Sequence, residues 1–283
     1  MERESCLTML IILLGGLTML ACGWWPAADA RTASARALER IAWRRIWVPV
    51  GPALVMVAAL CGWALSERDP VPEKVSVWLI ALSLPCAALA LRAGLRALGA
   101  LLCAQDDFTT ATFGLVRPRV MFSPYLARQL SDRQLRAALE HERAHARHRD
   151  PLRIWLAQLA TDLQWPWPPA RRRLQAWLDA LEVARDEEAR AAGVEGSDLA
   201  EVIVACARLA GAGSHRQAAL SGEAASLKQR VQRLLLPLPA WPTTPGFRKW
   251  IPAMALSGLL IAALTLGAIF GEPLLHALFA ITA

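Results

Sequence analysis

The sequence contains no C-x-x-C pair, and its six cysteines are dispersed: Cys6, Cys22, Cys61, Cys86 and Cys103 lie in or beside apolar runs, and Cys206 stands alone. That pattern offers neither a thiolate metal site nor a disulfide framework, so the cysteines read as packing residues in a reducing setting. Aromatic-basic binding motifs are also missing, which removes the usual ground for reading a formal charge of +7 as nucleic-acid binding. Charge itself is absent from four long stretches, residues 7–25, 48–65, 75–91 and 251–270. Each is close to the roughly 20 residues that cross a hydrocarbon core as helix. With 55% hydrophobic residues and a mean hydropathy of +0.32, the chain is too apolar for an ordinary soluble domain. Four membrane spans are the expectation.

The basic residues then report topology. Between the first two apolar runs lie Arg31, Arg36, Arg40, Arg44 and Arg45 against Asp29 and Glu39. The next loop has Arg68 and Lys74 against Glu67, Asp69 and Glu73. The positive-inside rule places the first loop in the cytoplasm and the second outside. Parity puts the N-terminus outside, the long stretch from about residue 92 to 249 inside, and the C-terminus outside. A cleaved signal peptide is the rival for residues 7–25, because Ala28, Asp29 and Ala30 follow. Glu2, Arg3 and Glu4 do not form the positive leader such a peptide has, and the first apolar run is expected to be retained.

Residues 105–246 read as one unit held between membrane helices. Residues 113–123 (FGLVRPRVMFS) alternate and are β-branched, with Pro118 suiting an edge, and predict a strand or hairpin. Ser131 with Gln134 three places on predicts a capping box and a helix running through His141. Asp150-Pro151 marks its kink or stop. A second helix to about Gln164, a turn at WPWPP (165–169) and a charged helix from about Arg171 to Ala192 follow. Tyr125 and His215 read as packing and surface residues.

Three of the five histidines fall within residues 141–148, HERAHARH. On a helix His141 and His145 share a face one turn apart, so their Nε2 atoms can converge on Zn²⁺ at about 2.0–2.1 Å. Glu142 beside them is placed to act as general base toward water activated by the ion, the H-E-x-x-H arrangement of zinc peptidases. A catalytic zinc needs a third protein ligand, and there are two candidates. His148 lies two turns, about 10 Å, from His141 if the helix is unbroken, and no glycine breaks it before Asp150. Glu182 in LEVARDEEAR is the other, with Asp186 one turn on to orient a ligand histidine. Two helices folded back through WPWPP favour Glu182; a merely acidic, solvated face would look similar.

The segments FGLVRPRVMFSP, LSDRQLRAALEHERAHARHRDPL, the Trp-Pro turn, the E-x-x-x-D of LEVARDEEA and SLKQRVQRLL together resemble the BlaR/MecR-type antirepressor membrane metallopeptidases. The resemblance implies three membrane helices before a cytoplasmic gluzincin domain and one after it. It implies His141, His145 and Glu182 as zinc ligands, Glu142 as catalytic base, Asp186 as support behind the ligands, and a structural role for Asp150 near the helix end. It also implies a cytoplasmic winged-helix transcriptional repressor as substrate. The β-lactam sensors of that family carry a penicillin-binding domain with an S-x-x-K motif after the last span. Here residues 271–283 follow it, so sensing β-lactams by that route is not expected.

The expected protein is therefore mainly α and integral to the cell membrane. Residues 1–104 carry three transmembrane helices, 105–246 form a cytoplasmic α+β zinc peptidase domain, and 247–283 hold the last span. Its partners are a protein substrate and the lipid bilayer, with no direct nucleic-acid binding. Two rival functions fit the same residues: a quality-control membrane zinc protease, and a non-catalytic zinc-binding sensor or scaffold.

Overall fold

The computed structural model describes residues 9, 12–19, 21, 34–66, 77–102, 110–115, 117–213, 220–237 and 258–270. Over these the chain is mainly helical. Helical residues 12–19 (α1) precede α2 (Ala35–Trp47), α3 (Val50–Ser66) and α4 (Val77–Leu102). The hairpin β1 (Thr110–Phe113) and β2 (Arg119–Phe122) comes next, followed by α5 (Pro124–Ala127), α6 (Asp132–His148), α7 (Asp150–Asp162) and α8 (Pro168–Ala191). Then come α9 (Gly196–Gly213), α10 (Leu220–Leu234) and α11 (Gly258–Phe270). Strand structure among the described residues is this one antiparallel pair, with Thr110 opposite Phe122 and Phe113 opposite Arg119. The unit after α4 is thus helical with a single hairpin laid on α6; the stretch patterned for strand, residues 113–123, holds β2, while β1 begins three residues before it.

The apolar helices divide by what they touch. Residues Ile80–Leu101 of α4 are long and apolar enough to cross a membrane, and only 11% of that stretch is buried within the protein. A core helix of a soluble domain would be mostly covered, whereas Leu82, Leu84, Leu91 and Leu95 are exposed. A second candidate is α2 with α3, bent by 44° at the break that contains Pro49. Only α3 is uniformly apolar; α2 carries Arg36, Arg40, Arg44 and Arg45 and buries one face against α8. The apolar helix α11 is shorter, yet it crosses α3 backbone to backbone: a Cβ on Gly62 would meet the Leu264 carbonyl, and one on Gly267 the Ala59 carbonyl. The predicted spans at 7–25 and 251–270 lie partly outside the described residues. Among the described residues one helix passes as a full span, or two if the bent pair α2–α3 counts as one, where four were expected over the whole chain.

Two cores flank α8. On one side Ile46, Val50, Ala157, Ala160, Leu174, Trp177 and Leu181 join α2, the start of α3, α7 and α8. On the other Ala137, Ala189, Leu199, Ala200, Ile203 and Leu234 join α6, α8, α9 and α10. Alanines at 137, 138 and 144 let α6 lie close to its neighbours, and His141 and His145 fall in the seam between the cores. The long arm of α4 ties the apolar region to this unit: Arg96 Nε donates to Asp162 at 3.1 Å, Trp155 Nε1 donates to the Ala97 carbonyl at 3.0 Å, and the Arg92 guanidinium lies over the Trp165 ring.

Candidate metal centre

The helix that carries the histidines starts as its sequence dictates. Ser131 caps it, the Ser131 Oγ accepting from Gln134 N while Gln134 Oε1 accepts from Ser131 N at 2.8 Å. It ends at Arg149, which adopts the left-handed conformation (φ 52°, ψ 44°) with no glycine to ease it. That reversal starts α7 at Asp150 and turns the Asp150 carboxylate back toward the preceding turn. A continued helix would have carried it away from His145.

His141 and His145 of α6 meet Glu182 of α8. The two Nε2 atoms are 3.1 Å apart, and Glu182 places Oε2 3.5 Å from His141 Nε2 and Oε1 3.6 Å from His145 Nε2. Bonds of about 2.0–2.1 Å at tetrahedral angles set donor atoms about 3.3 Å apart. The three edges bracket that value, and the three residues form a group of metal-ligand dimensions. The donor set, two imidazoles and a carboxylate, is one that suits zinc. Glu182 keeps 34% of its side chain exposed and so faces the cavity.

Behind each imidazole stands a buried carboxylate. His145 Nδ1–H donates to Asp150 Oδ2 at 2.9 Å. His141 Nδ1 lies 2.9 Å from Asp186 Oδ1, an ion-pair distance without a linear hydrogen bond. Both contacts turn Nε2 toward the shared centre. Arg230 of α10 then clamps the acids: it donates from Nε and Nη2 to the two Asp186 oxygens, both at 2.9 Å, and its Nη1 lies 3.0 Å from Glu182 Oε2. Arg185 holds Asp150 through Nε and Nη2.

The charges follow from these contacts. Burial pushes the His141 pKa down, but Asp186 and Glu182 outweigh it and hold the imidazole up at about 10. Burial pushes the Glu182 carboxyl up, and Arg230 with the two histidines overrides it, leaving it well below the usual carboxylate range. Burial also raises Asp150, where His145 and Arg185 prevail and bring it far down. The cluster is thus a place that stabilises positive charge at the two Nε2 atoms.

A cavity of about 470 Å³ opens on the group. Glu142, 8% exposed, lines it together with the three donors. One face of α9 (Leu199, Val202, Ile203) with Leu227 of α10 and Ile154 of α7 forms an apolar wall. His148 is not part of it: two turns along α6, it contacts Glu188 at 2.8 Å, at the surface. Tyr125, expected to pack, is instead exposed, and His215 lies outside the described residues.

Sequence reasoning missed Arg230, Arg185 and the bond from His145 to Asp150. A signal for the arginines exists. Arg230 interrupts the apolar stripe Leu227, Val231, Leu234, and Arg185 sits beside Leu181, Ala184 and Ala189, so each is a charge on a buried helical face.

Residues 103–234 match the family model described as BlaR1 peptidase M56. No curated protein and no solved structure matches the chain.

Proposed function

From the match of residues 103–234 to the family model described as BlaR1 peptidase M56, we propose that the protein is a zinc-dependent endopeptidase of the cell membrane that cleaves a cytoplasmic transcriptional repressor. The observation that carries the chemistry is the trio of donor edges, 3.1, 3.5 and 3.6 Å, with a carboxylate behind each imidazole. His141, His145 and Glu182 would hold the ion, which when bound supplies Lewis acidity and lowers the pKa of water at the site. Glu142 serves as general base: it takes the proton of the attacking water and returns it to the leaving amine. Asp150 and Asp186 keep the imidazoles oriented, and Arg230 keeps Glu182 and Asp186 ionised.

The apolar wall of α9 suits an apolar side chain next to the scissile bond, and a free edge of the hairpin suits an extended substrate backbone. Four spans, with the domain on the cytoplasmic side, complete the proposal; the exposed leucines of α4 and the arginine-rich α2 support it. The test is Glu142→Gln expressed in cells. It should retain zinc, lose proteolysis and copurify with an uncleaved DNA-binding repressor. Capture of damaged membrane proteins alone would move the function to quality control, and a Glu142→Ala variant that works as well as wild type would leave only a scaffold.

A further inference from the structure

Two carboxylates and two guanidinium groups form a continuous chain from His145 to α2, a helix outside the segment that matches the family. Asp150, fully buried, accepts from His145 at 2.9 Å, from Arg185 Nε, from Arg185 Nη2 at 3.0 Å and from Arg153 Nη1 at 3.0 Å. Both arginines also reach Glu39 of α2. Arg153 Nη2 donates to Glu39 Oε1, and Arg185 Nη2 lies 3.8 Å from the same oxygen. Glu39 is only 6% exposed, although it lies on a helix rich in arginine that could pair it in solvent.

The same face of α2 grips Arg153 a second time. The ring of Trp43, one turn after Glu39, lies 4.8 Å from the Arg153 guanidinium, with Trp177 of α8 at 5.5 Å. Arg36, one turn before, donates to Glu188 of α8 at 3.0 Å. Charge explains why the acid is needed. Arg153 and Arg185 bring two positive charges to Asp150's single negative one; Glu39 balances the charge of Arg153, while Arg185 also reaches Glu188 at 3.7 Å, an acid already shared with Arg36, Arg147 and His148. Without Glu39, Arg153 would compete with Arg185 for Asp150, and the excess positive charge behind His145 would draw Asp150 away from the imidazole and oppose a dication in front of it.

We propose that Glu39 is a positioning residue for the metal centre: through Arg153 and Arg185 it holds Asp150, and hence His145, in ligating geometry, so that α2 and the ion stabilise one another. This rests on His141, His145 and Glu182 being the metal site. The experiment uses the full chain in detergent micelles, with Zn²⁺ alone as probe and a chromogenic chelator as competitor. Glu39→Gln should weaken zinc binding about tenfold, the lower end for residues that orient ligands from behind. Glu39→Asp, which keeps the charge, should recover most of the loss, and Arg44→Gln, on the exposed side of α2, should bind as wild type. Wild-type affinity in Glu39→Gln overturns the proposal and leaves the metal site standing; a wild type that takes up no zinc removes both. Hydrogen exchange on the wild type decides the case even if Glu39→Gln does not fold. Coupling is reciprocal, so zinc should slow exchange of the α2 amides, and exchange there that is indifferent to zinc overturns the proposal.

Discussion

Asp150 reaches His145 from the start of α7, and Asp186 reaches His141 from the last two turns of α8. Neither touches the shared donor centre, yet each fixes which ring nitrogen faces it. Replacing either with alanine should weaken zinc affinity about 10- to 100-fold, measured by chelator competition. Asp186→Ala also frees Arg230 from its paired hydrogen bonds and leaves it to Glu182 and, at longer range, Asp179, so its loss should be the larger. His141, Glu142 and His145 could be read from spacing because helical periodicity alone puts them together. Glu182 and Asp186 needed the turn at WPWPP to bring α8 back along α6. For Asp150 the sequence indicates a helix stop and the resemblance a structural role near the helix end, but its bond to His145 depends on the conformation of Arg149, which no glycine announces.

At the scale of elements, the reversal at Arg149 is the strained point. A non-glycine residue in the left-handed region costs on the order of 1–3 kcal/mol at most sites, and the fold tolerates it where it closes the carboxylate onto the metal ligand. Arg149→Gly should therefore keep zinc affinity and hold or raise the thermal midpoint. Arg149→Val, β-branched, should lower both. Equal behaviour of the two variants would deny that the backbone at this position matters. The helix boundaries around it were legible because Ser131, Gln134 and Pro151 are local signals. The role of α2 was not, because its arginines read as a topology marker while Glu39, Trp43 and Ile46 form a buried face that is recognisable only beside α8.

Across the whole molecule, acidic residues tie together helices far apart in sequence. Glu188 of α8 accepts from Arg36 of α2 and from Arg147 of α6, and contacts His148. Burial pushes its carboxyl up, but His148, Arg147 and Arg36 prevail and hold it down at about 2. The folded state therefore binds this proton less readily than the unfolded chain, whose glutamates titrate near 4.3. The stabilisation is complete above that pH and disappears as pH falls toward about 2, a contribution of about 1 kcal/mol after allowing for solvent screening. Between about pH 6 and pH 3 the thermal midpoint of wild type should fall further than that of Glu188→Gln; parallel falls would show that this junction is not what acid breaks.

The central claim is that side chains from two helices, His141 and His145 on α6 and Glu182 on α8, hold one catalytic zinc ion with Glu142 as base. Zinc content and proteolysis of the purified full chain, compared among wild type, Glu142→Gln and Glu182→Ala, test it most directly. The account predicts one zinc per chain in wild type and in Glu142→Gln, proteolysis in wild type alone, and weakened zinc binding in Glu182→Ala. Zinc bound undiminished without Glu182, or proteolysis that survives without Glu142, would contradict it.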